Sequence, residues 1–381
     1  MTASPGSTSL APLAAVFLRL GATAFGGPAA HIALMHDEVV RRRRWLDEAE
    51  FLDLLGAVNL IPGPNSTELA MHVGRRRGGW RGLVVAGTCF IVPAMLITAA
   101  FAAAYVRYGT LPSATFVMHG IKPVVLAVVA RAVLDLARRA ASSDGLRLLG
   151  LLAIGANFAG VHELLVLLVA GLVVVAARRR WRLGAAGLGV LWPRAAPAAA
   201  AAAALTPGAT GLFLVFAKIG ATLFGSGYVL LAYLRADFVE RLGWLTEAQL
   251  VDAVAVGQFT PGPLSSTATF VGYVVDGPLG ALAATAGIFL PAFVLVALSG
   301  ALLQRLRASR AVGAFLDGVN VASLALMVVV AVQLGRAAIV DVPTAGLAVL
   351  AAVLLVRWKV NPAWLVLGGA VAGFGLGCLR G

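Results

Sequence analysis

Charge is scarce in this 381-residue chain, and so are cysteine and lysine. Only 12% of its residues are charged while 60% are hydrophobic, a balance outside the range of soluble globular domains, so a single water-soluble core is excluded. Cys89 and Cys378 stand alone in apolar surroundings without metal-ligand or redox spacing, and neither a metal site nor a cofactor is expected. No glycine-rich loop ending in Gly-Lys-Ser/Thr is present, which argues against ATP-driven transport by this chain alone. His162-Glu163-Leu164-Leu165 runs into Val166 where a zinc protease needs a second histidine. A basic segment at the N-terminus is also lacking, and Arg19 interrupts the first apolar run, so no cleavable signal is expected.

What the chain has is length of apolar sequence. A spanning helix needs about 20 apolar residues, and runs such as 80–106, 279–303 and 364–379 are of that order. The expectation is an all-α polytopic membrane protein with the lipid bilayer as its solvent. Its net charge of +13 sits in short arginine clusters between apolar runs, at 41–44, 75–77, 138–139 and 178–182. Cytoplasmic loops look like this under the positive-inside rule, and a nucleic-acid partner is not expected.

Sliding the sequence on itself by 199 residues exposes a tandem repeat. Phe17 to Gly26 aligns with Phe216 to Gly225, Trp45-Leu46 with Trp244-Leu245, Asp53 with Asp252, and Pro62-Gly63-Pro64 with Pro261-Gly262-Pro263. About one position in three is identical between Phe17 and Pro64 without a gap. The chain divides into a tail (1–12), a first repeat (13–182), an Ala/Pro-rich connector (183–210) and a second repeat (211–381). Arginines flank the two copies in opposite senses: Arg75, Arg76, Arg77 and Arg81 stand at the start of the run 80–106, whereas Arg305, Arg307 and Arg310 follow its partner, 279–303. Two homologous halves of inverted topology are expected, with ten to thirteen membrane elements, some broken or re-entrant.

The breaks are the candidate site. Two prolines and a glycine stop a helix, and irregular backbone is tolerated in hydrocarbon only against protein or a water-filled cavity. The residues that follow, Asn65, Ser66 and Thr67 or Ser265 and Ser266, favour a new helix start, whose free N–H groups and positive dipole end suit an anion. Four tips are expected to converge: Gly26, Gly27 and Pro28; Pro62, Gly63 and Pro64; Gly225, Ser226 and Gly227; Pro261, Gly262 and Pro263. Arg19 and Lys218 share one repeat position, a turn before Thr23 and Thr222, with no acidic residue one turn away. Lys122 adds a third cation, and its repeat partner is Asn320. All these residues are assigned to substrate, against a reading as packing glycines, kink prolines and snorkelling cations. Glu68, His31 and His119 are candidates for a proton relay, against the favoured reading of a helix-capping Glu and packing histidines; Arg131 is taken as structural, and Asp53 and Asp252 as first-turn acids of interfacial helices.

Taken together, Phe25-Gly-Gly-Pro28 with His31, Trp45-Leu46, Pro62 to Thr67, Phe224-Gly-Ser-Gly-Tyr228, Gly243-Trp-Leu245 and Gln258 to Pro263 resemble the chromate ion transporter family in its long two-domain form. The resemblance implies a bacterial inner-membrane exporter of chromate that confers resistance, energised by the membrane potential or an ion gradient, with sulfate as competitor. It places functional motif residues at Gly26, Gly27, Pro28, His31, Pro62, Gly63, Pro64 and Asn65, and adds Gln258 in the second copy. The expected partner is a chromate- or sulfate-like dianion, and a homodimer is allowed. A carrier or channel for another small oxyanion is the alternative, and a membrane enzyme acting on a lipid-linked phosphate stands behind it.

Overall fold

The computed structural model describes residues 10–25, 27–109, 111–180, 206–224, 227–358 and 360–380. Gly26, Gly225, Ser226 and most of the connector, all assigned roles above, lie outside the described residues. All regular structure among the described residues is helical.

The first half opens with α1 (Ala11–Thr23) and α2 (Gly27–His36), and α2 winds into a π-helical turn at Asp37–Arg42. A capping box then starts α3 (Glu48–Val58): the Glu50 amide donates to the Asp47 side chain at 2.7 Å while Asp47 N–H donates back to Glu50. The chain breaks at Pro62-Gly63-Pro64 and resumes as α4 (Asn65–Tyr108). The second half repeats each step. It has α8 (Ala209–Thr222), a short α9 (Leu230–Leu234), a π-helical turn at Arg235–Arg241, a Thr246/Gln249 capping box, α10 (Glu247–Phe259), a break, and α11 (Thr267–Ala308).

Neither α4 nor α11 is a straight rod. Gly78 and Gly79 have φ/ψ of −136/21° and 58/−142°, and their repeat partners Asp276 and Gly277 have −144/34° and 57/−150°. The left-handed second position suits glycine. Gly74 lies against Gly82 and Ala86, and Gly272 against Gly280 and Ala284. Eight residues of continuous helix would separate such pairs by about 12 Å. Each element is therefore a helical hairpin, with arms 65–77 and 80–108 in one half, 267–275 and 278–308 in the other.

Side-chain contacts show that the halves are inverted. Trp45, before α3, stacks under Arg77 at 5.2 Å, so α3 enters from the face that carries the arginine cluster. Asp252, in the second turn of the matching α10, accepts a hydrogen bond from Tyr105 at 2.8 Å. Tyr105 lies at the far end of the arm 80–108, which extends about 43 Å at 1.5 Å per residue. The two re-entrant segments thus come from opposite faces.

Six helices flank this core: α5 (Pro112–Ala140), α6 (Asp144–Phe158) and α7 (Glu163–Arg180), matched by α12 (Arg310–Ala338), α13 (Val342–Arg357) and α14 (Pro362–Arg380). They exchange partners, since α5 packs on α13 and α14 while α12 packs on α6 and α7. Gly120 faces Gly369 so closely that no Cβ fits between them, and its repeat partner Gly318 meets Ala170 and Gly171 in the same way. Small residues let membrane helices approach by dispersion alone. Leu148, Leu151, Leu172, Val349 and Leu350 remain exposed on the outer faces, as lipid contact requires. Among the described residues, Asn65–Tyr108, Thr115–Arg138, Leu264–Ser299 and Arg310–Ala338 are long and apolar enough to cross a membrane.

Candidate functional site

The breaks meet across the interface between the halves. Gly63 N–H donates to the Leu223 carbonyl at 2.7 Å, and Gly262 N–H donates to the Ala24 carbonyl at 2.9 Å. Residues 24 and 223 are repeat partners, as are 63 and 262, so the pair obeys a local two-fold relation. Each break places one backbone N–H on the other half, which helps irregular chain survive at this depth. At Gly262, with φ of 87°, a Cβ would lie 2.8 Å from the Gly21 carbonyl oxygen.

Among the described residues, the first half adds histidine contacts that have no counterpart in the second. The Ala24 carbonyl can only accept, so His31 Nε2 donates to it at 3.1 Å, leaving Nδ1 to accept from the Ser66 hydroxyl at 3.4 Å. Leu230 stands at the matching position. Thr67 and Glu68 are fully buried beside the tip, and both Glu68 carboxylate oxygens lack a hydrogen bond among the described residues. In the second half Thr98 donates to Ser266 at 3.3 Å, while Ser265 and Gln258 are buried around the tip.

Three cations assigned to substrate turn out to hold carboxylates. Arg19 pairs with Glu38, which Arg43 also binds at 2.6 Å. Lys218 pairs with Asp237 at 2.6 Å, and Arg241 joins it at 2.8 Å. These two clamps are repeat partners, and each ties a first helix to the following π-helical turn. The expectation that Arg19 and Lys218 lack an acid considered one turn of one helix only; the acid lies 19 residues on, across the hairpin. The Thr23 and Thr222 hydroxyls donate to the Arg19 and Lys218 carbonyls at 2.7 and 2.8 Å, so their protons are spent on their own helices. Lys122 meets Asp252 at 2.9 Å, across the interface from α5 to α10. Asp252 is thus an inter-half ligand of Lys122 and Tyr105 rather than only a first-turn acid. His119 lies 3.6 Å from Asp341, away from the tip that holds Glu68.

A cavity of about 710 Å³ runs from the tips toward the arginine-rich face. Pro28, Asn65 and Tyr228 line its inner end, and Ala140 and Ser142, just past Arg138, its outer end. Between them stand Arg131, Asp135 and Asn320. Among the described residues assigned to substrate, only Pro28 and Asn65 line this space. Arg131, Asp135, Asn59, Tyr228 and Asp317 were missed as lining residues. An intramembrane Arg–Asp pair at i and i+4 was the available signal.

Fold and cavity together define a multi-pass α-helical membrane protein whose inverted halves share a cavity, lined by both apolar and polar side chains, that reaches the interrupted helices. A family model described as "Chromate transporter" matches residues 11–176 and 210–374, and the chain belongs to that chromate transporter family. It is 32% identical to the "Chromate transport protein" of Cupriavidus metallidurans, over 98% of this chain and 96% of the relative. It is 33% identical to the "Chromate transport protein" of Pseudomonas aeruginosa, over 98% and 94%, and 31% identical to the "Probable chromate transport protein" of Synechococcus elongatus, over 93% and 91%. No solved structure matches the chain.

Proposed function

We propose that this protein is a secondary transporter that exports chromate across the bacterial inner membrane by alternating access, and so confers chromate resistance. The observation that carries the mechanism is an asymmetry between matched surfaces. On one face Lys122, Asp252 and Tyr105 join the halves; on the arginine-rich face, which the positive-inside rule assigns to the cytoplasm, a cavity reaches the tips. This is the pattern of a cytoplasm-open state with its outer gate latched. Rocking of one half against the other would break the latch and present the tips outward.

A tetrahedral dianion only accepts hydrogen bonds, so backbone N–H groups, hydroxyls and amides at the tips suit it. Asn65, Ser66, Ser265 and Gln258 are the side chains in this reading, with Gly27, Pro28 and Gly227 shaping the backbone. Arg19, Lys218 and Lys122 then serve as structural or gating charges. A potential negative inside favours outward movement of a dianion by about 2.3 kcal/mol per charge per 100 mV, which supplies a drive for export. Glu68 is the relay residue we favour, because a buried intramembrane carboxyl without a partner marks an ion or proton path. Sulfate has the shape and charge of chromate and is the second reading.

Vesicles of known orientation, loaded with radiolabelled chromate or sulfate and given a potential or a proton gradient, test both. The account predicts potential-driven chromate movement from the cytoplasmic side outward. Sulfate flux without chromate flux would transfer the assignment to sulfate, and no flux of either would reject it.

A further inference from the structure

We propose that Arg131 is the cation that receives the oxyanion in the cavity, and that Asp135 occupies its guanidinium until substrate displaces it. This rests on the oxyanion-transport reading and names the fixed charge of that site.

Arg19, Lys122, Arg131 and Lys218 are basic side chains set within apolar stretches of helix. Three are committed to carboxylates with almost no access to water. The partner side chains Glu38, Asp237 and Asp252 are 7%, 1% and 7% exposed, and each has a second donor in Arg43, Arg241 or Tyr105. An anion taking any of these cations would leave a buried negative charge behind, which costs more than the new contact returns. Arg131 differs. Its partner Asp135 lies one turn along the same helix at 2.9 Å, and is 46% exposed. That carboxylate can swing into the water of the cavity and keep its solvation.

The surroundings fit a tetrahedral oxyanion. Arg131 lines the cavity with Tyr228, with Asn320 from α12 and with Asn65, which follows Pro62-Gly63-Pro64, so both halves supply neutral polar groups to the space it faces. A guanidinium offers a planar fork to two oxygens of such a guest, as it does to a carboxylate. The other acid in the cavity, Asp317, is held by Arg178 at 2.7 Å. Asp135 is therefore the charge that competes with substrate, and removing it should tighten binding. No such gain is expected at a merely structural ion pair.

The test compares wild-type protein with Arg131→Gln, Arg131→Lys and Asp135→Asn in oriented vesicles, using radiolabelled chromate and sulfate. Arg147→Ala, in an exposed pair with Asp144, is the control. Arg131→Gln is expected to lose at least tenfold in flux, Arg131→Lys to keep part of it, and Asp135→Asn to lower the half-saturating concentration severalfold. Wild-type flux with an unchanged Arg131→Gln overturns the inference and leaves the transport reading standing. Should Arg131→Gln fail to fold, Asp135→Asn decides, and an unchanged half-saturation overturns the proposal. Absence of flux in wild type overturns the transport reading, and this proposal with it.

Discussion

On one face of the molecule Lys122, Asp252 and Tyr105 hold α5, α10 and α4 together, whereas the matched positions on the other face are Asn320, Asp53 and Leu303. Those three offer neither cation nor phenol for a comparable latch. The tips, by contrast, keep a matched backbone contact: Gly63 bonds Leu223 as Gly262 bonds Ala24. Backbone that must satisfy itself in hydrocarbon leaves little freedom, and both copies keep it. The side-chain contacts of Lys122, Asp252 and Tyr105 have no such constraint, and there the copies diverge. On the alternating-access reading proposed above, such a two-fold frame with unequal faces would rest in one state and be driven to the other.

The largest expected effect comes from breaking the shared part. Gly262→Val must place a Cβ against the Gly21 carbonyl at a φ of 87°, combining left-handed strain of roughly 1–2 kcal/mol with overpacking of roughly 1–3 kcal/mol. The variant should lose most of its folded yield, measured by size-exclusion chromatography in detergent. Recovery at wild-type yield and melting temperature would show that the tips are not in contact.

Next comes the unshared part. Asp252→Asn leaves Lys122 without its carboxylate, and losing one member of a buried pair costs roughly 3–5 kcal/mol. That is enough to invert a two-state population. In a background with Cys89 and Cys378 replaced by serine, Gln258→Cys should become reactive to an impermeant thiol reagent from the outside only when Asp252→Asn is present. Asn320→Lys sharpens the comparison by giving the open face a cation, and should slow labelling of Asn65→Cys from the cytoplasmic side.

A smaller effect is expected at His31, where the second half has Leu230. His31→Leu leaves the Ser66 hydroxyl and one lone pair of the Ala24 carbonyl unpartnered, a loss of about 1–3 kcal/mol. A melting temperature lowered by a few degrees is the expected reading. No change would mean that these bonds contribute nothing to the first tip.

The repeat, the breaks and the inversion were legible because proline, glycine and arginine clusters act locally: Pro62-Gly63-Pro64 stops a helix whatever its neighbours, and Arg75 to Arg77 mark a face. The carboxylate partners were harder to see. Glu38 and Asp237 lie 19 residues beyond Arg19 and Lys218 in both copies, a matched offset present in the sequence, yet only the hairpin brings them into contact. The exchange of α6 and α7 for α13 and α14 left no local trace, since small residues such as Gly120 and Gly318 do not name their partner. Arg131 was read as structural, although Asp135 stands one turn on in the same helix. Its exposure to a cavity is a property of the assembled halves.

Everything above depends on the halves running in opposite directions across the bilayer. The most direct measurement places a single cysteine at each of the two matched kinks, as Arg76→Cys beside Gly78-Gly79 and as Asp276→Cys, in a background with Cys89 and Cys378 replaced by serine. An impermeant thiol reagent is then added to right-side-out or inside-out vesicles. The account predicts that Arg76→Cys reacts only from the cytoplasmic side and Asp276→Cys only from the outside; reaction of both from one side would contradict it.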